Sequence, residues 1–163
     1  MLGGIRMDIN YYRMKPGQEG QVTLLIHGLI ADYGSNFKSK LTAQSLTENA
    51  GFLNVEVAEC DGRIMGICAW VMSFSTWRGT KGMYVADLCV TREASTADVA
   101  RKLLHLAATS GATLGASFIR TEVDISDERI EVVYSQIGFW NQLRHMIYFL
   151  EPVEFQKFVG GAG

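Results

Sequence analysis

The chain has 163 residues, 48% of them apolar, and a formal net charge of −2. That length and composition suit one domain with a real core and exclude a disordered chain. Its 15 Lys and Arg residues are scattered without a run or stripe, so no nucleic-acid partner is expected, and no apolar stretch is long enough to imply a membrane span.

The opening, MLGGIRMDINYYR, lacks the apolar core of a secretory signal. Met7 offers a second start that would leave residues 1–6 as an extension. IRMDINYYRM alternates as a first strand, broken by Pro16 and Gly17. Val22, Leu25, Ile26, Leu29, Ile30 and Tyr33 then recur at helical spacing. A second helix is expected around TAQSLTENA, with Thr42 as its cap. LNVEVAE and IMGICAWVMSF flank an Asp-Gly pair, a strong hairpin signal. MYVADLCV reads as the next strand and leads into a helix. On that helix Val99, Leu103, Leu106 and Ser110 line one face, with Ala100, Leu104 and Ala107 beside it. ASFIRTEV reads as a strand, DERIEVVYSQIGF as a helix closed by Gly138, and RHMIYFL as a last strand.

Antiparallel strands first and a strand-helix-strand crossover later make this a mixed α/β (α+β) fold. Six to seven strands are expected in one mostly antiparallel sheet with helices on both faces. Residues 1–163 read as a single domain, with 151–163 as a tail. In that tail Phe155, Phe158 and Val159 fall at near-helical spacing, as if to dock on the body or on a partner subunit. Cys60, Cys68 and Cys89 show no CxxC spacing and sit in apolar surroundings, as free thiols in a reducing cytoplasm would. His27, His105 and His145 share no metal-ligand spacing, and no metal site is expected.

The stretch CVTREASTADVARKLLHLAA, residues 89–108, joins a strand to a helix where many α/β proteins hold a phosphate on backbone N–H groups. Such loops are normally rich in glycine, and this one has none. Two further stretches belong with it, STWRGTKGMYVADLCV and DERIEVVYSQIGFW. With the element order, these resemble the GNAT superfamily of acetyl-CoA-dependent N-acetyltransferases. The first is similar to the W-x-G-(x)n-Y-L-E-D-x-x-V stretch of the diamine (spermidine/spermine) acetyltransferases, the second to the family's N-x-x-A-x-x-x-Y-x-x-x-G-F. Element order matches over residues 7–150, and motif-level similarity runs from Trp77 to Trp140.

The resemblance implies transfer of acetyl from acetyl-CoA to a primary amine of a small molecule or peptide; a homodimer is the usual expectation for symmetric assemblies of this size, and the free thiols point to the cytoplasm. The resemblance places Leu88, Cys89 and Val90 along the pantetheine arm. Ser95, Thr96, Ala97, Asp98, Val99, Ala100 and Arg101 would surround the pyrophosphate. Tyr134 falls on the tyrosine expected to protonate the departing thiolate, a role a phenol of pKa about 10 can fill. Its ring could equally pack on the sheet.

Two departures stand out. Against the family loop R/Q-x-x-G-x-G/A this chain has Ser95, Asp98 and Ala100, of which only Ala100 fits. A carboxylate at position 98 would repel a pyrophosphate. It would also suit a helix N-terminus, and STAD is expected to fold back on the first amides of the helix. Second, the family's E-D pair is here Ala86 and Asp87. Asp87 is then the candidate base, acting directly or through water, or else a structural carboxylate; Glu122 is a second candidate. Fewer acids also argue against a polycationic acceptor. Trp77 and Trp140 could wall a substrate pocket or serve as packing residues. A GNAT-fold protein without catalysis, acting as a binding or assembly module, is the alternative reading.

Overall fold

A strand bonded on one edge only must be short or lie at the border of its sheet. Here β1 (Asn10–Arg13) borders β2 (Asn54–Cys60) in a computed structural model that describes residues 8–32, 38–94, 97–123, 128–142 and 150–160. Next come β3 (Arg63–Ser75), β4 (Thr80–Val90) and β5 (Ile119–Thr121). The sheet order is β1-β2-β3-β4-β5, antiparallel except for the parallel β4–β5 pair. Between β1 and β2 lie α1 (Glu19–Asp32) and α2 (Ala43–Glu48), and α3 (Ala97–Thr113) makes the crossover from β4 to β5. α4 (Glu128–Ile137) and α5 (Pro152–Gly160) follow. Five strands form among the described residues, fewer than the six to seven expected. The strand expected over 144–150 lies outside the described residues except for Leu150, which is not in a strand.

Local chemistry accounts for most boundaries. Thr42 caps α2, its hydroxyl accepting from Ser45 N–H at 3.0 Å. Asp61 and Gly62 turn the β2–β3 hairpin at positive φ (51° and 79°), as a two-residue turn with the twist of its strands requires. Gln21 of α1 clamps that hairpin, accepting from Ile64 N–H at 3.0 Å and donating to Gly62 O at 3.2 Å.

Each sheet face buries its own set of side chains. Under α1 and α2, Val22, Ile26 and Leu46 pack on Val55, Val57, Ile67, Ala69 and Cys89. Under α3, the buried seam is Val99, Ala100, Leu103, Leu104 and Ala107. Leu106 and Ser110, expected on that seam, are only half-buried, because the sheet meets the 99/103/107 line and its neighbours at 100 and 104. Glu56 is buried with them: its Oε1 lies 3.4 Å from Trp70 Nε1–H and 4.0 Å from Arg13. Its Oε2 has no partner among the described residues. Arg13 also donates to Asn54 Oδ1 and lies over the Trp70 ring.

Two glycines admit neighbours that a side chain would displace. A Cβ on Gly82 would come within 2.3 Å of the Phe118 ring, itself capped by the Arg78 guanidinium at 5.3 Å. A Cβ on Gly111 would meet the flexible Met83 Sδ at 2.7 Å. Gly82→Ala is therefore expected to cost about 1–3 kcal/mol in urea unfolding, and Gly111→Ala less.

Candidate functional site

The site is built where β4 and β5 part. Among the described residues β5 pairs with β4 only over Met83–Val85 (Met83 with Ile119, Tyr84 with Arg120, Val85 with Thr121). β4 continues to Val90, bonded on its other side to β3. In that ladder Ala69 faces Asp87 and Trp70 faces Val85, so Ala86 is an extra residue, a β-bulge.

The bulge resets the alternation of the strand. Before it, Met83 N–H donates to Phe118 O (2.9 Å) and Val85 O accepts from the Thr121 hydroxyl (3.1 Å), so odd-numbered residues turn their backbone to β5. After it, odd-numbered Thr91 donates instead to Met65 O of β3 (2.7 Å). Asp87 and Cys89 thus turn their backbone to β3, and Leu88 and Val90 turn theirs away, into the gap. An extended ligand with amide groups can bond to such a strand edge.

Side chains follow the same shift. Val90 lies on the α3 face, close to Gly66 and Leu103. Cys89 belongs to the core under α1, and Asp87, two residues earlier, shares that face. Asp87 is half-buried, and burial pushes its carboxyl above the ordinary aspartate range. Burial also raises the Tyr84 phenol; Glu122 and Asp87 add to the rise, and Arg120 opposes it. Glu122 pairs with Arg120 at 3.6 Å. Asp87, Tyr84, Arg120 and Glu122 are therefore one electrostatic group at the point of parting. Trp77 stands apart from them: it is 97% exposed in the β3–β4 turn, about 20–25 Å away along the strand.

The connection to α3 leaves β4 through Thr91, whose buried hydroxyl has no partner among the described residues. A turn of 3₁₀ helix over Arg92–Ala94 follows, anchored by buried Ala94 and by a Glu93–Arg63 pair at 3.1 Å. Ser95 and Thr96 lie outside the described residues. Ala97 opens α3, Val99 and Ala100 point into the core, and Arg101 is exposed. The expected fold-back of STAD thus lies outside the described residues except for Ala97 and Asp98, and what is described is the contact of Asp98. Asp98 sits within the first turn of α3, and its carboxylate reaches forward to Lys102 at 2.8 Å. A lysine four residues on supplies a cation on the same helix face, a partner that the expected fold-back ignored. Lys102 also lies over the Tyr11 ring, at 5.6 Å.

The chain divides into two compact units, 1–133 and 134–163. Tyr134 opens the second and is buried. Gly138 (φ 103°) ends α4, with Phe139 N–H donating to Tyr134 O at 3.0 Å and Gly138 N–H to Ser135 O at 3.1 Å. This is a Schellman cap, and the Tyr134 and Phe139 rings supply its apolar contact, 4.8 Å between centroids. The Y-x-x-x-G-F pattern is thus first of all a helix stop. In the same unit Trp140 is 70% exposed and no residue of α5 is buried, Phe155, Phe158 and Val159 included.

Sequence reasoning assigned no role to Tyr84, Arg120, Thr91 or Lys102. Tyr84 and Asp87 differ by an odd number of positions, which in a regular strand means opposite faces; only the bulge puts them together. Lys102 was legible as the fourth residue after Asp98.

No protein-family model matches the chain, and no curated protein does. Solved structures do match. A probable acetyltransferase shares 21% identity at a TM-score of 0.74, covering 87% of this chain and 97% of its own. An aminoglycoside acetyltransferase from an uncultured soil metagenomic sample, in complex with sisomicin, shares 17% at 0.72, covering 88% and 97%. The ribosomal-protein-alanine N-acetyltransferase of Brucella melitensis biovar Abortus 2308 shares 13% at 0.70, covering 87% and 99%. At such identities the likeness is one of architecture, and the chain has the fold of GNAT-type acetyltransferases.

Proposed function

We propose that the chain transfers an acetyl group from acetyl-CoA to a primary amine. The observation that carries this reading is the parting of β4 and β5 at Ala86, with the backbone of Leu88 and Val90 turned into the gap and Asp87 beside it. The residues present fit acetyl-CoA. Leu88 and Val90 offer amide hydrogens and carbonyls to the pantetheine arm, and the Thr91 hydroxyl, without a partner among the described residues, lies one residue further on. The start of α3 offers the positive end of a helix dipole to the pyrophosphate. Asp98 is a weaker obstacle than its charge implies, because Lys102 pairs with it.

In this reading Asp87 takes a proton from the acceptor's ammonium, directly or through water, and leaves a neutral amine able to attack the thioester carbonyl. A carboxyl raised by burial is a stronger base than a solvated one and suits that task. The carbonyl carbon bonds to the amine nitrogen and the carbon–sulfur bond breaks; in the role the sequence resemblance implies, the Tyr134 phenol protonates the thiolate, and the surplus proton of the new amide nitrogen passes through water to restore the phenol. Cys68 and Cys89 are no rival nucleophiles, since burial pushes both thiols far above their ordinary range and keeps them protonated.

Calorimetry with acetyl-CoA tests the reading at its base: micromolar binding is expected, and no heat at millimolar cofactor would refute it. Asp98→Asn should tighten binding, and Lys102→Met should loosen it, each by roughly threefold, as expected of exposed charges near a helix terminus. Turnover should rise with pH through a value above the ordinary aspartate pKa, because Asp87 must lose its proton to act; Asp87→Asn should abolish that limb and most of kcat. Tyr134→Phe keeps the ring that caps α4, so its melting temperature should hold while kcat falls about 10–100-fold. Unchanged turnover would leave Tyr134 a capping residue only.

A further inference from the structure

We infer that Tyr84 is a specificity-determining residue, and that it selects a small amine carrying a single positive charge on an apolar or aromatic body. This rests on the acetyltransferase reading of the same site.

Three observations carry it. First, position. After the bulge, Tyr84 and Asp87 share the α1 face of β4, and Arg120 lies directly across from Tyr84 on β5. Second, exposure. The core under α1 and α2 includes Ala69 and Cys89 on this face, while the next positions, Val71 and its cross-strand partner Tyr84, are only half-buried. A phenol ring and a valine thus form an apolar floor beside the carboxylate. At its far side the floor ends at Phe118, which lies against Gly82 under the Arg78 guanidinium. Third, charge. Among the described residues at this point, Asp87 and Glu122 bring two negative charges, and Arg120, paired with Glu122 at 3.6 Å, removes one. A net charge of −1 suits one ammonium; a dication would leave a positive charge beside Arg120 without a partner.

The ammonium would stand at Asp87 and the body of the amine would lie on the Tyr84 ring. A flat apolar group gains by displacing water from that ring, and a hydrophilic one of equal charge gains little. A longer amine would run into Phe118 and Arg78.

The test is calorimetric binding of 2-phenylethylamine, ethanolamine and 1,4-diaminobutane to the full chain, with and without acetyl-CoA, followed by turnover on each. 2-Phenylethylamine should bind at least tenfold more tightly than either of the others. Tyr84→Ala should erase that preference and raise the KM for 2-phenylethylamine about tenfold, with the KM for acetyl-CoA unchanged; Tyr84→Phe should keep the preference. Arg120→Gln alters an exposed side chain and serves if Tyr84→Ala fails to fold: by making the site net −2 it should shift preference toward 1,4-diaminobutane. Equal acetylation of all three amines, or no shift in Arg120→Gln, would overturn this inference while leaving acetyl transfer intact. Tyr84-dependent binding of 2-phenylethylamine without any acetyl transfer would keep the inference and remove the acetyltransferase reading.

Discussion

One extra residue governs this sheet. Ala86 interrupts the β3–β4 ladder and thereby decides which side every later residue of β4 presents. Cys89 enters the α1 core, Val90 meets Gly66 and Leu103 under α3, and the backbone of Leu88 and Val90 turns outward. A regular strand would have sent each of these the other way. β5 ends at Thr121, opposite Val85, so the bulge also marks where the parallel pairing stops. Amides turned into such a gap need a hydrogen-bond partner there, since a buried unmet hydrogen bond costs about 1–3 kcal/mol. The opening is held by packing on both sides of β4, and the ligand need not create it.

Around that opening, charge is arranged in pairs. Asp98 is answered by Lys102, Glu93 by Arg63 and Glu122 by Arg120, all with exposed or half-exposed side chains. Exposed pairs of this kind contribute little to stability, commonly under 1 kcal/mol, and their effect lies in the field they leave at the site. Asp87 is different. It is half-buried, and burial is the cause of its shift. Its environment favours holding a proton.

Much of the fold could be read from the sequence. Alternation located the strands, Thr42 its cap and Asp-Gly its hairpin, because each is decided by a few neighbouring residues. The shortness of β5 was not legible: ASFIRTEV holds no turn signal, and its pairing with β4 ends opposite Val85, beside a bulge that belongs to another strand. Register is a property of pairs, so Ala86 carried no signal, and Tyr84 went unassigned for the same reason. Asp98 shows a different limit. Serine, threonine and aspartate ahead of a helix suggested a fold-back cap, and the forward contact to Lys102 is a further one, set by the 3.6-residue repeat of the same helix. The Y-x-x-x-G-F pattern was recognised by resemblance, while its local cause, a Schellman cap with paired rings, needed the hydrogen bonds of Tyr134, Ser135, Gly138 and Phe139.

Cys68 and Cys89 occupy adjacent central strands, one on each face of the sheet, and neither is accessible to solvent in the folded chain. A thiol reagent can label them only when those strands separate. Their alkylation rate is thus a clock for opening of the sheet's middle, while Cys60, only half-buried at the β2–β3 hairpin, runs on the time of its own local surroundings. Comparing the two rates, with and without a ligand in the gap, would measure how far filling the opening between β4 and β5 tightens the strands that frame it.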